Sequence, residues 1–267
     1  MADPKFPKME NVVAFIKLAI AIYSGVEEIS KKTRAGDFLA KMFRRMKGLE
    51  GKRIAVIGAT ASGKNSLIAR LRSEMVPTAH AQTRGSETVK KYDIRFPVPG
   101  HKPIEFKALK SVNVGGEEDE RDRFWGDACR EADIVFYLVD INRLIIEREE
   151  TLKRVREDIT WFRIEGLGGR GSILFKQNIK LAIIANKVDF FKEIHKNDID
   201  IDAVASATLA LTSEIDAIAK SALGPAISWL TGVYPLSIID DDLFTLLFSA
   251  ILADVAEKSD EAGRKGK

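Results

Sequence analysis

The sequence predicts an α/β fold, in which a mostly parallel β-sheet carries helices on both faces and follows an N-terminal helical extension. From residue 52 onward, short runs of β-branched and apolar residues alternate with segments of helical periodicity. The runs 134–139 and 180–185 are continuously apolar, as expected of parallel strands that are buried on both faces. The chain has 267 residues, of which 45% are hydrophobic, so its apolar content suffices for a sizeable core.

Residues 1–50 are predicted to form the helical extension. Apolar residues recur at helical spacing over 9–23 and again over 39–46, and the second segment is also basic. The apolar run 12–23 contains Lys17 and is shorter than the roughly 20 residues that a membrane-spanning helix needs. Mixed charges before this run, without a clean small-residue cleavage site, argue against a secretory signal.

Residues 51–257 are predicted to form the α/β domain. The expected elements are strands at 53–57, 93–98, 104–112, 134–139, 180–185 and 234–239, with helices at 147–164 and 243–255. The segment 190–232 is longer than a simple connection requires, and its alanine-rich part, 203–222, is interpreted as an inserted helix. The polar residues 258–267 are predicted to be a disordered tail.

Charge and cysteine content restrict the function classes. Lysine and arginine total 42 against 39 aspartate and glutamate, and a net charge of +3 gives no reason to expect a nucleic-acid partner. Cys129 is the single cysteine, so no internal disulfide can form. A reducing, cytoplasmic compartment is therefore the simpler expectation.

A glycine-rich segment after the first predicted strand fits the pattern G-x-x-x-x-G-K, and a predicted helix follows it. The glycines would let the backbone wrap a phosphate, with the N–H groups at the helix start directed at the anion. Lys64 would reach the β- and γ-phosphates. The alternative interpretation is a glycine-rich turn with an incidental lysine. The predicted nucleotide-binding residues here are Gly58, Ala59, Thr60, Ala61, Ser62, Gly63, Lys64, Asn65 and Ser66.

The residue after the lysine departs from the usual pattern, in which Ser or Thr ligates Mg²⁺. Asn65 stands there, and Ser66 comes one position later. Ser66 cannot simply substitute, because one residue along a helix turns the side chain by about 100°. The amide oxygen of Asn65 is a hard ligand of the type that Mg²⁺ accepts, so Asn65 is a candidate metal ligand in a weakened metal site.

The second chemical motif, Asn186-Lys187-Val188-Asp189, directly follows the apolar run 180–185. The Asp189 carboxylate could accept hydrogen bonds from N1–H and the 2-amino group of guanine, whereas adenine offers no such donors. Asn186 would brace the loop, and the stem of Lys187 would lie along the base. A solvated loop start is the alternative interpretation.

Together these motifs resemble those of the Ras-like small GTPases, most closely the Arf-like branch. Further matching segments are Val112-Asn113-Val114-Gly115-Gly116-Glu117, Val139-Asp140-Ile141-Asn142-Arg143, Thr83-Arg84-Gly85 and Tyr234-Pro235-Leu236-Ser237-Ile238. The resemblance implies a P-loop GTPase fold that binds GTP or GDP with Mg²⁺. It also implies that Thr83 contacts the γ-phosphate and metal, and that Ser237 and Ile238 contact the guanine.

The departures from the family pattern concern the metal and the γ-phosphate. Asn113 matches the family's metal-holding aspartate, and Glu117, after Gly116, matches its catalytic glutamine. With Asn65, these changes imply weak Mg²⁺ binding and slow hydrolysis, with Gly116 and Glu117 as the candidate catalytic residues. Alternatively, the alignment is shifted and these residues merely shape a loop.

Three functions remain open at this point. One is a molecular switch whose GTP hydrolysis is slow or depends on a partner, with a protein effector or regulator. Another is a hydrolysis-deficient nucleotide-binding scaffold. The last is an assembly module in which residues 9–47 contact a membrane surface peripherally or dock on a partner.

Overall fold

The computed structural model of the chain describes residues 49, 51–72, 74, 86–89, 92–98, 101–108, 111–114, 121–166, 179–189 and 201–265. The two predicted N-terminal helices, Thr83 and the segment from Gly115 to Glu117 lie outside the described residues.

A six-stranded sheet organises the domain. Its strands are β1 (Ile54–Gly58), β2 (Ser86–Val89), β5 (Ser111–Val114), β6 (Ile134–Asp140), β7 (Lys180–Asn186) and β8 (Leu230–Leu236). They lie in the order β2-β5-β1-β6-β7-β8. Five of them are mutually parallel, and β2 at one edge pairs antiparallel with β5. This is the α/β fold that the sequence predicts.

The helices connect these strands and cover the sheet. They are α1 (Lys64–Leu71), α2 (Gly126–Glu131), α3 (Ile141–Ile146), α4 (Arg148–Trp161), α5 (Ile201–Leu223) and α6 (Asp241–Lys265). Single π-helical turns at Arg121–Trp125 and Phe162–Gly166 and a 3₁₀ segment at Gly224–Trp229 complete the described helical structure. None of the helices within the described ranges is long and apolar enough to cross a membrane.

Strands β1, β6 and β7 are buried on both faces because their alternate residues enter two separate hydrophobic cores. In β1, Ile54 and Val56 pack with α1 and α6. Ala55 and Ile57 pack on the other side with Trp125, α4 and α5. The nearly continuous apolar sequences of β1, β6 and β7 follow from this two-sided burial, because the side chains on neither face of these strands are exposed to solvent.

The predicted hairpin exists but is shorter than the sequence suggested. Strands β3 (Tyr92–Val98) and β4 (His101–Ala108) pair antiparallel in a separate two-stranded sheet. The predicted strand 104–112 therefore spans parts of two strands, because β5 begins at Ser111 and joins the large sheet beside β1. A continuous β-type pattern does not reveal where a chain changes its pairing partner.

The helix predicted over 203–222 is present but is not an insertion. Helix α5 joins the neighbouring parallel strands β7 and β8. A parallel pair always needs such a crossover connection, usually a helix. The last predicted strand, 234–239, is also shifted, because β8 begins at Leu230 and ends at Leu236.

The expected disordered tail is largely helical, because α6 continues to Lys265. Residues such as Ala, Glu, Lys and Arg are strong helix formers, and they extend an existing helix without a new nucleation cost. Asp254 and Lys258 form an ion pair on this helix. The Lys258 ammonium group also donates to the Thr231 carbonyl oxygen, which ties α6 to β8.

A buried carboxylate stabilises the face that α4 covers. Asp158 has a fully buried side chain and is bonded to two arginines, Arg121 at 3.0 Å and Arg154 at 2.8 Å. The Tyr137 hydroxyl donates to the other carboxylate oxygen at 2.9 Å. Burial, followed by the proximity of Asp158, raises the pKa of the Tyr137 phenol well above 10.0, so the phenol stays a donor. Three elements of the domain, α4, β6 and the π-helical turn at Arg121–Trp125, meet at this one charged group.

We expect Asp158→Asn to lower the free energy of unfolding by about 3 kcal/mol, because it leaves two arginines without their buried counter-charge. Chemical denaturation monitored by circular dichroism measures the change. Asp216→Asn is the matched control, since Asp216 pairs with Lys220 near the surface of α5, and we expect a loss below about 1 kcal/mol there. Equal losses in the two variants would contradict this account of Asp158.

Candidate functional site

The loop between β1 and α1 has the backbone of an anion-binding turn. Gly58, Ala61 and Gly63 all have positive φ angles, of 142°, 64° and 99°. Gly63 is the N-cap of α1 but supplies no side-chain cap, and the first turn of α1 contains no acidic residue. The first amides of a helix lack intrahelical partners and carry a partial positive charge. This end of α1 is therefore suited to an anion.

The side chain of Lys64 lies over the inside of this loop. Its ammonium group donates to the carbonyl oxygens of Gly58 at 3.1 Å and Ala59 at 2.9 Å. Only 6% of the residue is exposed. A buried ammonium group requires acceptors or an anion, and the loop holds this one where a bound phosphate would meet it.

Two loops, named here for the ligands that the sequence predicts, are joined directly: the phosphate loop (residues 58–63) and the base-motif loop (residues 186–189). The side-chain amide of Asn186, at the end of β7, donates to the Ser62 carbonyl oxygen at 2.9 Å. The bond forms only because Gly63 lacks a side chain, since a Cβ there would lie 2.3 Å from Asn186 Nδ2. Gly58 is equally constrained, because its Cβ would lie 2.5 Å from the Leu138 carbonyl oxygen in β6. Gly58 is thus required by the neighbouring strand β6, and Gly63 by the side chain at the end of β7.

Lys187 is held in an unusual conformation by an ion pair. Its φ angle is 71°, in a region that side-chain-bearing residues seldom adopt. Its ammonium group binds the Asp140 carboxylate, whose side chain is only 6% exposed. The other Asp140 oxygen accepts from the backbone amides of Asn142 at 2.9 Å and Arg143 at 3.3 Å, capping α3. Asp140 lies opposite Asn186 in the sheet register. The ion pair between Lys187 and Asp140 therefore links the carboxyl ends of β6 and β7.

The Asp189 carboxylate is oriented by the loop that follows β8. The Ser237 hydroxyl donates to Asp189 Oδ1 at 2.7 Å and accepts from the Asp240 backbone amide at 3.4 Å. The Val188 amide donates to the Leu236 carbonyl oxygen at 3.3 Å. Ile238 is 1% exposed, and its Cδ1 atom would lie 3.3 Å from a Cβ at Gly63. The base-motif loop and the loop after β8 therefore form one wall beside the phosphate loop.

The structure thus brings most of the predicted site residues to one edge of the sheet. Residues 58–66 form the loop and the start of α1, while Asn186, Lys187, Asp189, Ser237 and Ile238 surround it from β7 and β8. Thr83, Gly116 and Glu117 lie outside the described residues, so their predicted roles stay predictions.

Two residues of this edge were missing from the predicted site. Asp140 could have been added from sequence, because it ends the strand next to β7 and could therefore reach a cation on that strand's loop. Arg70 in α1 could not have been predicted from the sequence. Its guanidinium group binds the carbonyl oxygens of Ile238 and Ile239, and no sequence pattern connects positions so far apart in the chain.

Among the described residues, this edge has a buried donor for an anion and no cluster of acidic side chains for a metal ion. The buried hydroxyl of Ser62 has no partner among the described residues, as suits a donor awaiting a phosphate oxygen. For Mg²⁺, the described residues contain no group of three or more acidic, histidine or cysteine side chains able to hold it. Asp140 is engaged by Lys187 and α3. Half-buried Asn65 in α1 is the described candidate ligand, and Asn113 lies in β5 beside Val56.

No family model matches the chain. No curated protein matches it either. Among solved structures, it is similar to a chain of the signal recognition particle receptor SRb-GTP/SRX complex from Chaetomium thermophilum, with 13% sequence identity and a TM-score of 0.49. The similarity covers 76% of this chain and 97% of that chain.

We expect Gly63→Ala to destabilise the protein by at least about 2 kcal/mol and to abolish phosphate binding, because a Cβ would strain the backbone and displace Asn186. Gly126→Ala is the matched control, since nothing lies within 4 Å of a Cβ there; in a helix it should gain up to about 1 kcal/mol. Thermal unfolding with and without tripolyphosphate measures both effects. A stable Gly63→Ala variant that still binds phosphate would contradict the close contact with Asn186.

Proposed function

We propose that this protein binds GTP and GDP at the carboxyl edge of its sheet in the manner of a small GTPase. The observation that carries the proposal is the bond from Asn186 to the Ser62 carbonyl oxygen, at 2.9 Å. It joins a loop suited to phosphate and a loop suited to guanine into a single site.

The two halves of the site would bind opposite ends of the nucleotide. The Lys64 ammonium group and the amides at the start of α1 would stabilise the phosphates, which would replace the loop carbonyls now bonded to Lys64. The Asp189 carboxylate would accept from N1–H and the 2-amino group of guanine. Its bond from Ser237 uses one lone pair of Oδ1, and a carboxylate has about four such sites, so acceptors remain for both donors.

Base selectivity tests the proposal most directly. We expect the protein to prefer GDP to ADP. Asp189→Asn should weaken GDP binding at least about tenfold, because it removes the charged carboxylate that would accept hydrogen bonds from both guanine donors. An asparagine offers an amide donor that matches the 2-carbonyl oxygen of xanthine, so XDP should bind the variant better than GDP does. Isothermal titration with the three nucleotides measures the preference.

Asp133→Asn is the control for that experiment, because Asp133 pairs with Arg53 immediately before β6, at the opposite end of that strand. It should leave the GDP affinity unchanged within about twofold, since exposed or partly exposed pairs contribute little to a distant site. Equal competition by ATP and GTP for the unmodified protein would refute the guanine site.

The same site is proposed to hydrolyse GTP slowly or only with a partner. Mg²⁺, when bound, would neutralise charge on the β- and γ-phosphates. Asn65 and Asn113 are both neutral where the family has a hydroxyl and a carboxylate, so metal binding would be weaker. Glu117 cannot donate a hydrogen bond to the γ-phosphate as a glutamine amide does. Each change opposes the charge redistribution that hydrolysis requires.

We expect an intrinsic hydrolysis rate no faster than about 10⁻³ s⁻¹ at saturating Mg²⁺, measured as phosphate release in single turnover. The double variant Asn65→Thr with Asn113→Asp should tighten Mg²⁺-dependent GTP binding more than either change alone, because the two positions would share one ion. Ser66→Ala is the control and should leave Mg²⁺ dependence unchanged. Fast Mg²⁺-dependent turnover by the unmodified protein would overturn the proposal of slow hydrolysis.

A second candidate, a nucleotide-binding scaffold without hydrolysis, is favoured by the same neutral positions, Asn65 and Asn113. In either case the bound nucleotide would control a protein effector or regulator. Residues 9–47, basic and amphipathic in sequence, are proposed to contact a partner or a membrane surface peripherally. We propose a cytoplasmic location, and the branch of small GTPases most similar in motif remains the Arf-like one.

A further inference from the structure

Arg70 connects the helix that begins at the phosphate loop with the loop that orients Asp189. It lies in the last turn of α1. Its guanidinium group donates through Nε to the Ile238 carbonyl oxygen and through Nη2 to the Ile239 carbonyl oxygen, both at 2.9 Å. The guanidinium carbon lies 5.6 Å from the centre of the Phe244 ring, in α6. A planar guanidinium group that lies over a ring and bonds two carbonyl groups is restricted in orientation, so both bonds have a fixed direction.

These two bonds set the orientation of neighbouring peptide planes. A peptide unit is planar, so the Ile239 carbonyl group and the Asp240 N–H group rotate together. The Asp240 N–H group donates to the Ser237 hydroxyl oxygen at 3.4 Å, and that hydroxyl donates to Asp189 Oδ1 at 2.7 Å. A continuous chain of contacts therefore runs from Arg70 through one peptide plane and one hydroxyl to the carboxylate proposed to read guanine.

The geometry points to Arg70 as a positioning residue for base recognition, an inference that rests on the proposed guanine site. Arg70 touches neither phosphate-loop backbone nor base-motif side chain in these bonds. It acts by fixing the 238–240 backbone, and thereby the direction in which Ser237 holds Asp189. Loss of the two bonds would let the loop rotate, so that Asp189 meets the two donors of guanine less often, while the phosphate loop stays intact.

The test uses Arg70→Gln in the full chain, with affinities measured for GDP, IDP and tripolyphosphate and with the dissociation rate of a fluorescent GDP analogue. IDP lacks the 2-amino group, and tripolyphosphate lacks the base. We expect GDP to bind about tenfold more weakly and to dissociate correspondingly faster, because two charge-assisted bonds are lost. The preference for GDP over IDP should fall, and tripolyphosphate affinity should stay within about twofold.

Arg72→Gln is the matched control, because Arg72 directly follows α1 and pairs with Glu74 at 2.7 Å. It removes the same charge from the same helix end and should change none of the three affinities. Arg70→Lys keeps the charge but cannot bond two carbonyl groups in one plane, so it should fall between the unmodified protein and Arg70→Gln. If Arg70→Gln does not fold, Arg70→Lys replaces it in the test. An unchanged preference for GDP over IDP in Arg70→Lys would then overturn the inference.

Two further results would overturn the role of Arg70. One is an unchanged preference for GDP over IDP in Arg70→Gln. The other is a loss of tripolyphosphate affinity as large as the loss of GDP affinity, which would show a general structural role. Failure of the unmodified protein to bind GDP is a separate outcome, since it would refute the proposed guanine site itself and the inference with it.

Discussion

The hydrogen bond between the Asn186 amide and the Ser62 carbonyl oxygen is the contact on which the geometry of this edge depends. It requires that two loops from non-adjacent strands, β1 and β7, meet within 2.9 Å. Strand β6 lies between those strands, so the loops can meet only above its end. The same approach leaves Gly63 no space for a side chain, while Gly58 lies against Leu138 because β1 pairs with β6 there. One polar contact thus excludes a side chain at Gly63 and joins the loops after β1 and β7 across the end of β6.

Charged groups near this edge are satisfied by the protein itself. Lys64 is bonded to loop carbonyls, Lys187 to Asp140, and Arg70 to the backbone after β8. Each arrangement costs side-chain entropy, yet each also holds a cation or a loop in a defined place before any ligand arrives. Such preorganisation lowers the entropic cost of binding. Among these three cations, only the Lys64 ammonium group would have to exchange its partners for phosphate oxygens.

Segments whose conformation is determined locally could be predicted from the sequence, as could strands buried on both faces. The loop 58–64 and the apolar strands β6 and β7 are examples, because their signals lie within a few neighbouring residues. Partners distant in sequence could not be predicted. Nothing in the run 104–112 shows that pairing changes after Ala108, and periodicity identifies α5 as a helix without showing that it is a crossover. Arg70 and Ile238, for example, are 168 residues apart. The extension of α6 to Lys265 could not be predicted either, because a run of strong helix formers has the same composition as a charged, disordered tail.

The burial of Leu49 has a consequence for the way the two ends of the domain communicate. Leu49 is 5% exposed and packs with Ile54 and the apolar face of α6, close to the start of β1. The far end of the same strand is Gly58, where the phosphate loop begins. A strand of five residues is about 17 Å long and hardly stretches. Strand β1 is therefore a short, stiff connection between Leu49 and the phosphate loop, which lie at its opposite ends. A displacement of that loop along the strand would be transmitted to Leu49 with little loss.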